Sequence, residues 1–288
     1  MPHPAFTASR VAVITGGASG IGLAAARRCA GVGMKLCLVD LEPARLQAAA
    51  AELQGAADIL TIAADIGRLD EIVRVRDAVL DRFGAPDVLM NNAGIQPAST
   101  ALGSSKSGSD SAWARIIDVN MWGVVHGAQC FVPAMIEHGR PALVINTGSK
   151  QGITTPPGNA AYNVSKAAVK VFTETLQHEL RNIPDCRVSA HLLIPGFVFT
   201  GLTANGRTEK PAAAWTPEQT VDFMLAAIEA GDFYILCPDN DVDRPTDERR
   251  MLWAMGDIVQ NRPPLSRWHP AHADAFDSFL QMGKSETP

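Results

Sequence analysis

Apolar positions along this chain fall into short β-branched runs separated by longer alanine-rich stretches. The runs lie at residues 11–15 (VAVIT), 35–39 (KLCLV), 59–63 (ILTIA), 87–90 (DVLM), 142–146 (ALVIN), 188–194 (VSAHLLI) and 232–236 (DFYIL). Several are apolar throughout instead of alternating, which marks strands covered on both faces. Between them the spacing predicts helices near 20–32, 42–54, 68–83, 111–138, 160–182 and 217–230. Such alternation predicts an α/β fold: a parallel sheet with helices on both faces, whose binding sites gather at the carboxyl ends of the strands. The stretch GSSKSGSDS at 103–111 reads as a polar loop. Beyond residue 237 the pattern changes to a loop, one amphipathic helix and a proline-bounded segment holding Trp268 and His269. The expectation is a single domain over 1–288, with a core at about 9–237 and a tail at about 238–288.

Composition narrows the partners. With 288 residues, 47% of them apolar, the chain can bury a large core. A net charge of −5 gives no electrostatic reason to expect nucleic acid or a membrane surface. No run approaches the ~18 apolar residues of a membrane span. The five cysteines are scattered, odd in number and without a CxxC pair, which disfavours a disulfide framework or zinc and points to a reducing cytoplasm. His126, His138, His178 and His191 show no ligand spacing, so no metal is expected.

Candidate chemistry lies in SKQGITTPPGNAAYNVSK, residues 149–166. Tyr162 and Lys166 are four residues apart and share one helix face, where an ammonium stabilises a phenolate. A second site opens the chain. Thr15 and Gly16 follow the first strand, and Gly20 and Gly22 open a helix whose free N–H groups attract a diphosphate. Asp40 ends the second strand, where a carboxylate can accept from both ribose hydroxyls and repels a 2′-phosphate. Ser19 and Leu41 nearby offer no cation to neutralise such a phosphate, so NAD is favoured over NADP.

Taken together, these residues resemble the short-chain dehydrogenase/reductase family over about 11–200. The turn TGxxxGxG appears at 15–22, with Gly16, Ser19, Gly20, Ile21 and Gly22. Asp65 and Ile66 match the adenine-side acid, and Asn91, Asn92, Ala93 and Gly94 the NNAG motif. Asn120, Ser149, Tyr162 and Lys166 match the catalytic tetrad, and Pro195, Gly196, Val198 and Thr200 the PGxxxT loop. The resemblance implies a Rossmann-type, doubly wound, seven-stranded parallel sheet. It also implies roles: Tyr162 exchanges a proton with the substrate oxygen, and Ser149 hydrogen-bonds that oxygen. Lys166 holds the nicotinamide ribose and lowers the tyrosine pKa, while Asn120 holds a water of the proton relay. Val198 and Thr200 face the carboxamide, and Asp65 the adenine. For the tyrosine to act as a base near neutral pH its pKa must fall by roughly two to three units, about 3–4 kcal/mol of phenolate stabilisation.

The implied activity is interconversion of a secondary alcohol and a ketone with NAD, on a bulky apolar or aromatic small molecule, by a homodimer or homotetramer. Leu202, Trp215 and Phe197 are expected to line an apolar pocket, with 201–215 folding over it as a lid. A biosynthetic ketone reductase is the alternative; a non-catalytic dinucleotide sensor fits poorly with an intact tetrad. Two departures stand out. Lys150 and Gln151 follow the serine directly, either as a cation facing a polar substrate or as a solvated loop. The tail replaces the glycine-rich ending used in the usual tetramer, and its Trp253, Trp268 and His269 either shield an active site, bury at a dimer interface or, as single aromatic residues in such tails more often do, simply pack.

Overall fold

A computed structural model of the chain describes residues 3–102 and 111–281. Seven strands form one parallel sheet: β1 (Val11–Thr15), β2 (Lys35–Asp40), β3 (Asp58–Ala63), β4 (Val88–Asn91), β5 (Ala142–Thr147), β6 (Val188–Ile194) and β7 (Tyr234–Leu236). Their order is β3-β2-β1-β4-β5-β6-β7, so the winding reverses between β1 and β4 and opens a crevice there. The helices are α1 (Gly20–Gly31), α2 (Pro43–Glu52), α3 (Leu69–Phe83), α4 (Ala112–Ile117), α5 (Gly123–Glu137), α6 (Gln151–Thr154), α7 (Ala160–Arg181), α8 (Pro217–Ala230), α9 (Arg244–Val259) and α10 (Ala273–Gln281). Of the expected polar loop at 103–111, only Ser111 lies within the described residues, where its hydroxyl caps α4 by accepting from Ala114 N.

The two-residue period of a strand sorts the core into two layers. Ala12 and Ile14 of β1 pack with α1 and α8, whereas Val11 and Val13 pack with α3 and α5. At the amino ends of the strands the buried carboxylate of Asp87 accepts from Val11 N at 3.0 Å and pairs with Arg10 and Arg140. At α8, Thr216 and Gln219 close a capping box, Pro217 opens the helix and left-handed Gly231 ends it.

One expected helix is broken. The segment foreseen over 111–138 is α4, then a π-helical turn at Asp118–Trp122, then α5. The wider turn carries Asn120 into the interior, an arrangement that recurs at functional sites. A buried polar chain then ties the central strands to α7: Asn91 donates to Asn146 (2.9 Å), Asn146 to Thr173 (3.1 Å), and Thr173 to Val169 O (2.6 Å).

The tail holds a second helix, α10, beyond the single one expected. Trp253 is buried in the tail's own cluster. Its ring meets Phe276 edge-on at 5.3 Å, Arg262 stacks 3.9 Å over it, and its indole N–H donates to Ser266 at 2.8 Å. Trp268 and His269 stay at the surface. No described helix is long and apolar enough to cross a membrane.

Candidate active site

The loops leaving the carboxyl ends of β1 to β6 enclose a cleft of about 1030 Å³. Gly16, Ser19, Gly20 and Ile21 form its floor on the β1 side. A Cβ on Gly16, whose φ is +64°, would sit 2.9 Å from Ala93 Cα, so the turn has no room for a side chain. Gly22 does not line the cleft: a Cβ there would meet the Gly16 carbonyl oxygen at 2.2 Å, so this glycine lets α1 start hard against the turn.

Asp40 stands at the rim, its carboxylate accepting from Ala18 N (3.2 Å) and Leu41 N (2.8 Å). Asp65 accepts from Gly67 N at 3.0 Å, and Ile66 packs beside it. Three arginines missed in the sequence reading, Arg45, Arg68 and Arg115, also line the cleft. Arg45 and Arg68 each have a carboxylate of their own, Glu42 at 2.9 Å and Asp70 at 2.8 Å.

In the middle, Asn92 laces three strand ends together. Its N–H donates to Thr15 Oγ1 (2.9 Å), its amide to Thr15 O (3.2 Å), and Thr147 Oγ1 donates to it (3.3 Å). Ala93 and Gly94 follow along the cleft wall.

Ser149, Tyr162 and Lys166 converge at the β5 end. Ser149 leaves β5 through Gly148, and Tyr162 lies in the first turn of α7. That turn is set by Asn159, a residue the sequence reading passed over. It caps α7 by accepting from Tyr162 N (3.4 Å), and it donates to the carbonyls of Gln96 (3.3 Å) and Pro97 (3.1 Å). A capping asparagine three residues before the tyrosine was the available signal. Lys166 Nζ donates to Thr147 O at 2.7 Å and lies 5.7 Å from the centre of the Tyr162 ring.

Burial governs both titrations here. It raises the Tyr162 phenol above its ordinary value, and a hydrogen bond with Ser149 reverses part of that. It brings the Lys166 ammonium down to about 8. Desolvation is the larger influence on both groups, so the direction set by the protein alone is opposite to the lowering expected with lysine and a positive nicotinamide ring together.

Asn120 is fully buried behind the cleft. Its amide donates to Ile95 O (2.9 Å) and Ser165 (3.2 Å), and its oxygen accepts from Ile95 N (2.8 Å). Pro195, Gly196, Val198 and Thr200 line the β6 side together with Phe197, Leu202 and Thr203. Trp215, expected beside Phe197 and Leu202, is elsewhere. Its backbone bonds to Phe197 and Phe199, but its ring meets Phe223 at a tilt, centroids 5.8 Å apart, in the α8 layer. Leu202 O accepts from Gln96 Nε2 at 2.6 Å, which links the first residues of the expected lid to the loop after β4. Lys150 is no solvated loop residue either: it is largely buried and paired with Asp239 and Asp247. Among the described residues no cluster of His, Cys, Asp and Glu could hold a metal ion.

The donor set fits a nicotinamide dinucleotide: a turn free of side chains at Gly16, a carboxylate at Asp40, and an ammonium at Lys166. A parallel sheet whose order reverses beside such a turn belongs to the dinucleotide-binding α/β class. Comparison with known proteins narrows this. The short chain dehydrogenase family model matches residues 10–211, and the chain belongs to that family of nicotinamide-dinucleotide oxidoreductases. It is 32% identical to a 1-deoxy-11-beta-hydroxypentalenate dehydrogenase of Streptomyces exfoliatus, over 90% of this chain and 94% of that protein. A short chain dehydrogenase/reductase from Burkholderia phymatum, solved in complex with NAD, superposes with a TM-score of 0.77 at 31% identity, covering 89% of this chain and 96% of that one. An alcohol dehydrogenase from Thermococcus sibiricus, complexed with 5-hydroxy-NADP, gives 0.67 at 28% identity, covering 77% and 91%.

Proposed function

We propose that this protein is a single-domain, NAD(H)-dependent dehydrogenase that interconverts a bulky apolar secondary alcohol and its ketone. The observation that carries the reading is the convergence of Ser149, Tyr162 and Lys166 on one end of a cleft whose other end holds Asp40. A bound nicotinamide supplies the hydride acceptor, or in its reduced form the donor. Ser149 holds the substrate oxygen, and Tyr162 exchanges a proton with it. Burial keeps the free phenol protonated, so in the protein alone Tyr162 is poised as an acid towards a ketone oxygen. Lys166, held on Thr147 O, is placed to bond the nicotinamide ribose and to balance charge on the phenolate. Asn120 braces Ile95 at the back of the site.

Asp40 favours NAD, and the carboxylates paired with Arg45 and Arg68 leave less positive charge for a 2′-phosphate. Ile95, Phe197 and Leu202 add apolar surface to the cleft, in keeping with a bulky apolar substrate; the Streptomyces relative is named for 1-deoxy-11-beta-hydroxypentalenate. The test is NADH formation against a panel of secondary alcohols, with NADP in parallel and Tyr162→Phe as control. Turnover of a bulky alcohol with NAD, and a loss of about 10²–10⁴-fold in the variant, is the expected result. Tight NAD binding with no turnover of any alcohol or ketone, and no effect of Tyr162→Phe, would replace it with a dinucleotide sensor.

A further inference from the structure

Lys150 follows Ser149 directly, yet its side chain is only 15% exposed. Its ammonium lies 3.6 Å from Asp239 Oδ2 and pairs with Asp247, side chains that are 8% and 4% exposed. Neither acid belongs to the dehydrogenase core. Asp239 sits just past β7, and Asp247 lies in the first turn of α9, both in the C-terminal extension. Asp239 has a second partner: its Oδ2 also accepts from Phe197 N at 3.1 Å, in the loop that follows β6. Its Oδ1 accepts from Val242 N (2.9 Å) and Asp241 N (3.1 Å), which fixes the carboxylate to the start of the extension. The packing at this junction is close. A Cβ on Gly196 would fall 2.7 Å from Asp239 Oδ2 and 2.9 Å from Lys150 Nζ.

Three segments thus meet at one buried ammonium: the Ser149 turn, the 195–200 loop and the extension. The charges that face it come from every side. Arg250, one turn along α9, acts on Asp247, and Arg267 in the tail acts on both. Burial raises the Asp247 carboxyl above its ordinary value, against the pull of Lys150 and Arg250. Two carboxylates on one ammonium leave no free positive charge at Lys150 to attract an anionic substrate. A buried pair of this kind is sensitive to loss of one partner, because the other charge is then stranded in a poorly solvated place.

We infer that Lys150 is a positioning residue, through which Asp239 and Asp247 of the C-terminal extension hold the Ser149 turn and the 195–200 loop in register for catalysis. This rests on Ser149 being the substrate-oxygen ligand, as proposed above. The extension then completes the active site from outside it, and its loss would slow chemistry without touching the dinucleotide turn.

Asp247→Asn removes a charge at nearly constant shape, and Lys150→Met removes the ammonium. Hydrogen exchange on the whole protein is read at Gly152 N and Thr154 N in α6, and at Phe197 N. We expect these amides to exchange at least about tenfold faster in both variants, with α1 and α3 unchanged. NADH affinity should fall much less than kcat, because only the 195–200 end of the dinucleotide site is loosened; kcat on the best alcohol of the panel should fall at least about tenfold, and Lys150→Arg should recover most of it. Unchanged exchange at those amides in Asp247→Asn overturns the inference, as does a loss of NADH affinity that matches the loss of kcat. Should Lys150→Met fail to fold, Asp247→Asn alone decides; should no alcohol turn over, the exchange rates alone decide. Tyr162→Phe separates the two readings. If that variant is inactive while the Lys150 and Asp247 variants keep full rate, the positioning role fails and the dehydrogenase assignment stands.

Discussion

Replacing Lys166 with methionine should change how stability depends on pH, by an amount set by the burial of one ammonium. The folded lysine titrates near 8, against an ordinary value of 10.5, because burial penalises its charge. Between those two values the unfolded chain keeps a proton that the folded chain has released. The unfolded state then binds more protons, so stability rises with pH across the window. The penalty is fully present below pH 8 and gone above 10.5. At ~1.36 kcal/mol per unit the whole window is worth about 3 kcal/mol, of which about 2.5 kcal/mol falls between pH 7 and pH 10. Lys166→Met has no such titration.

The absolute difference at pH 7 is a poor observable. Methionine relieves the charge penalty but leaves the Thr147 carbonyl without its donor, a cost of about 1–3 kcal/mol. The slope avoids this, since the lost hydrogen bond is an offset common to every pH. Burial also raises the thiols of Cys29, Cys37 and Cys237 to about 12, which lowers stability as pH climbs past their ordinary value of 9.0. That trend is shared by both proteins and cancels in their difference. Urea unfolding of both, without dinucleotide, at pH 7, 8, 9 and 10 is the assay. Wild-type protein should gain on the variant by about 2.5 kcal/mol over the series. Curves that stay parallel to within about 0.5 kcal/mol would refute a buried ammonium at this position.

Asp40→Ala should raise kcat/KM with NADP on the order of 10²-fold and lower it with NAD, read from paired initial rates; an unchanged ratio would show that the carboxylate does not face the ribose. Gly22→Ala places a Cβ 2.2 Å from a backbone oxygen, so it should lose more than about 4 kcal/mol of stability, measured by denaturation, or fail to fold. Asp87→Ala strips Val11 N and two arginines of their acceptor far from the cleft. It should cost about 3 kcal/mol in unfolding experiments, with kcat unaltered; a large drop in kcat would contradict a purely structural role.

Features that depend on local spacing were legible in the sequence. Seven apolar runs became seven strands, with β7 shorter than expected, because a strand covered on both faces needs little beyond an unbroken apolar run. Tyr162 and Lys166 were legible because one helical turn brings them together whatever the rest of the chain does. The π-helical turn at 118–122 was not, since one extra residue per turn leaves no mark on a hydrophobic period. Trp215 was misplaced for a related reason. Its position in the chain suggests the lid, but the backbone bonds to Phe197 and Phe199 anchor it, and the α8 layer has room for its ring.

Lys150 shows where reading by neighbours stops. A lysine beside a catalytic serine suggests a cation for the substrate, and its two partners lie far away in a segment that looks like an appendage. Only the closed sheet brings Asp239 and Asp247 to it. Tyr162 and Lys166 make the complementary point. Their identity and spacing were plain, but the direction of their titration was not, because burial is a property of everything packed around them. A buried phenol kept neutral and a buried ammonium close to losing its proton form a pair held against its own solvation. A positive charge arriving beside the phenol would favour its phenolate, which is the shift that the proposed change of Tyr162 from acid to base requires.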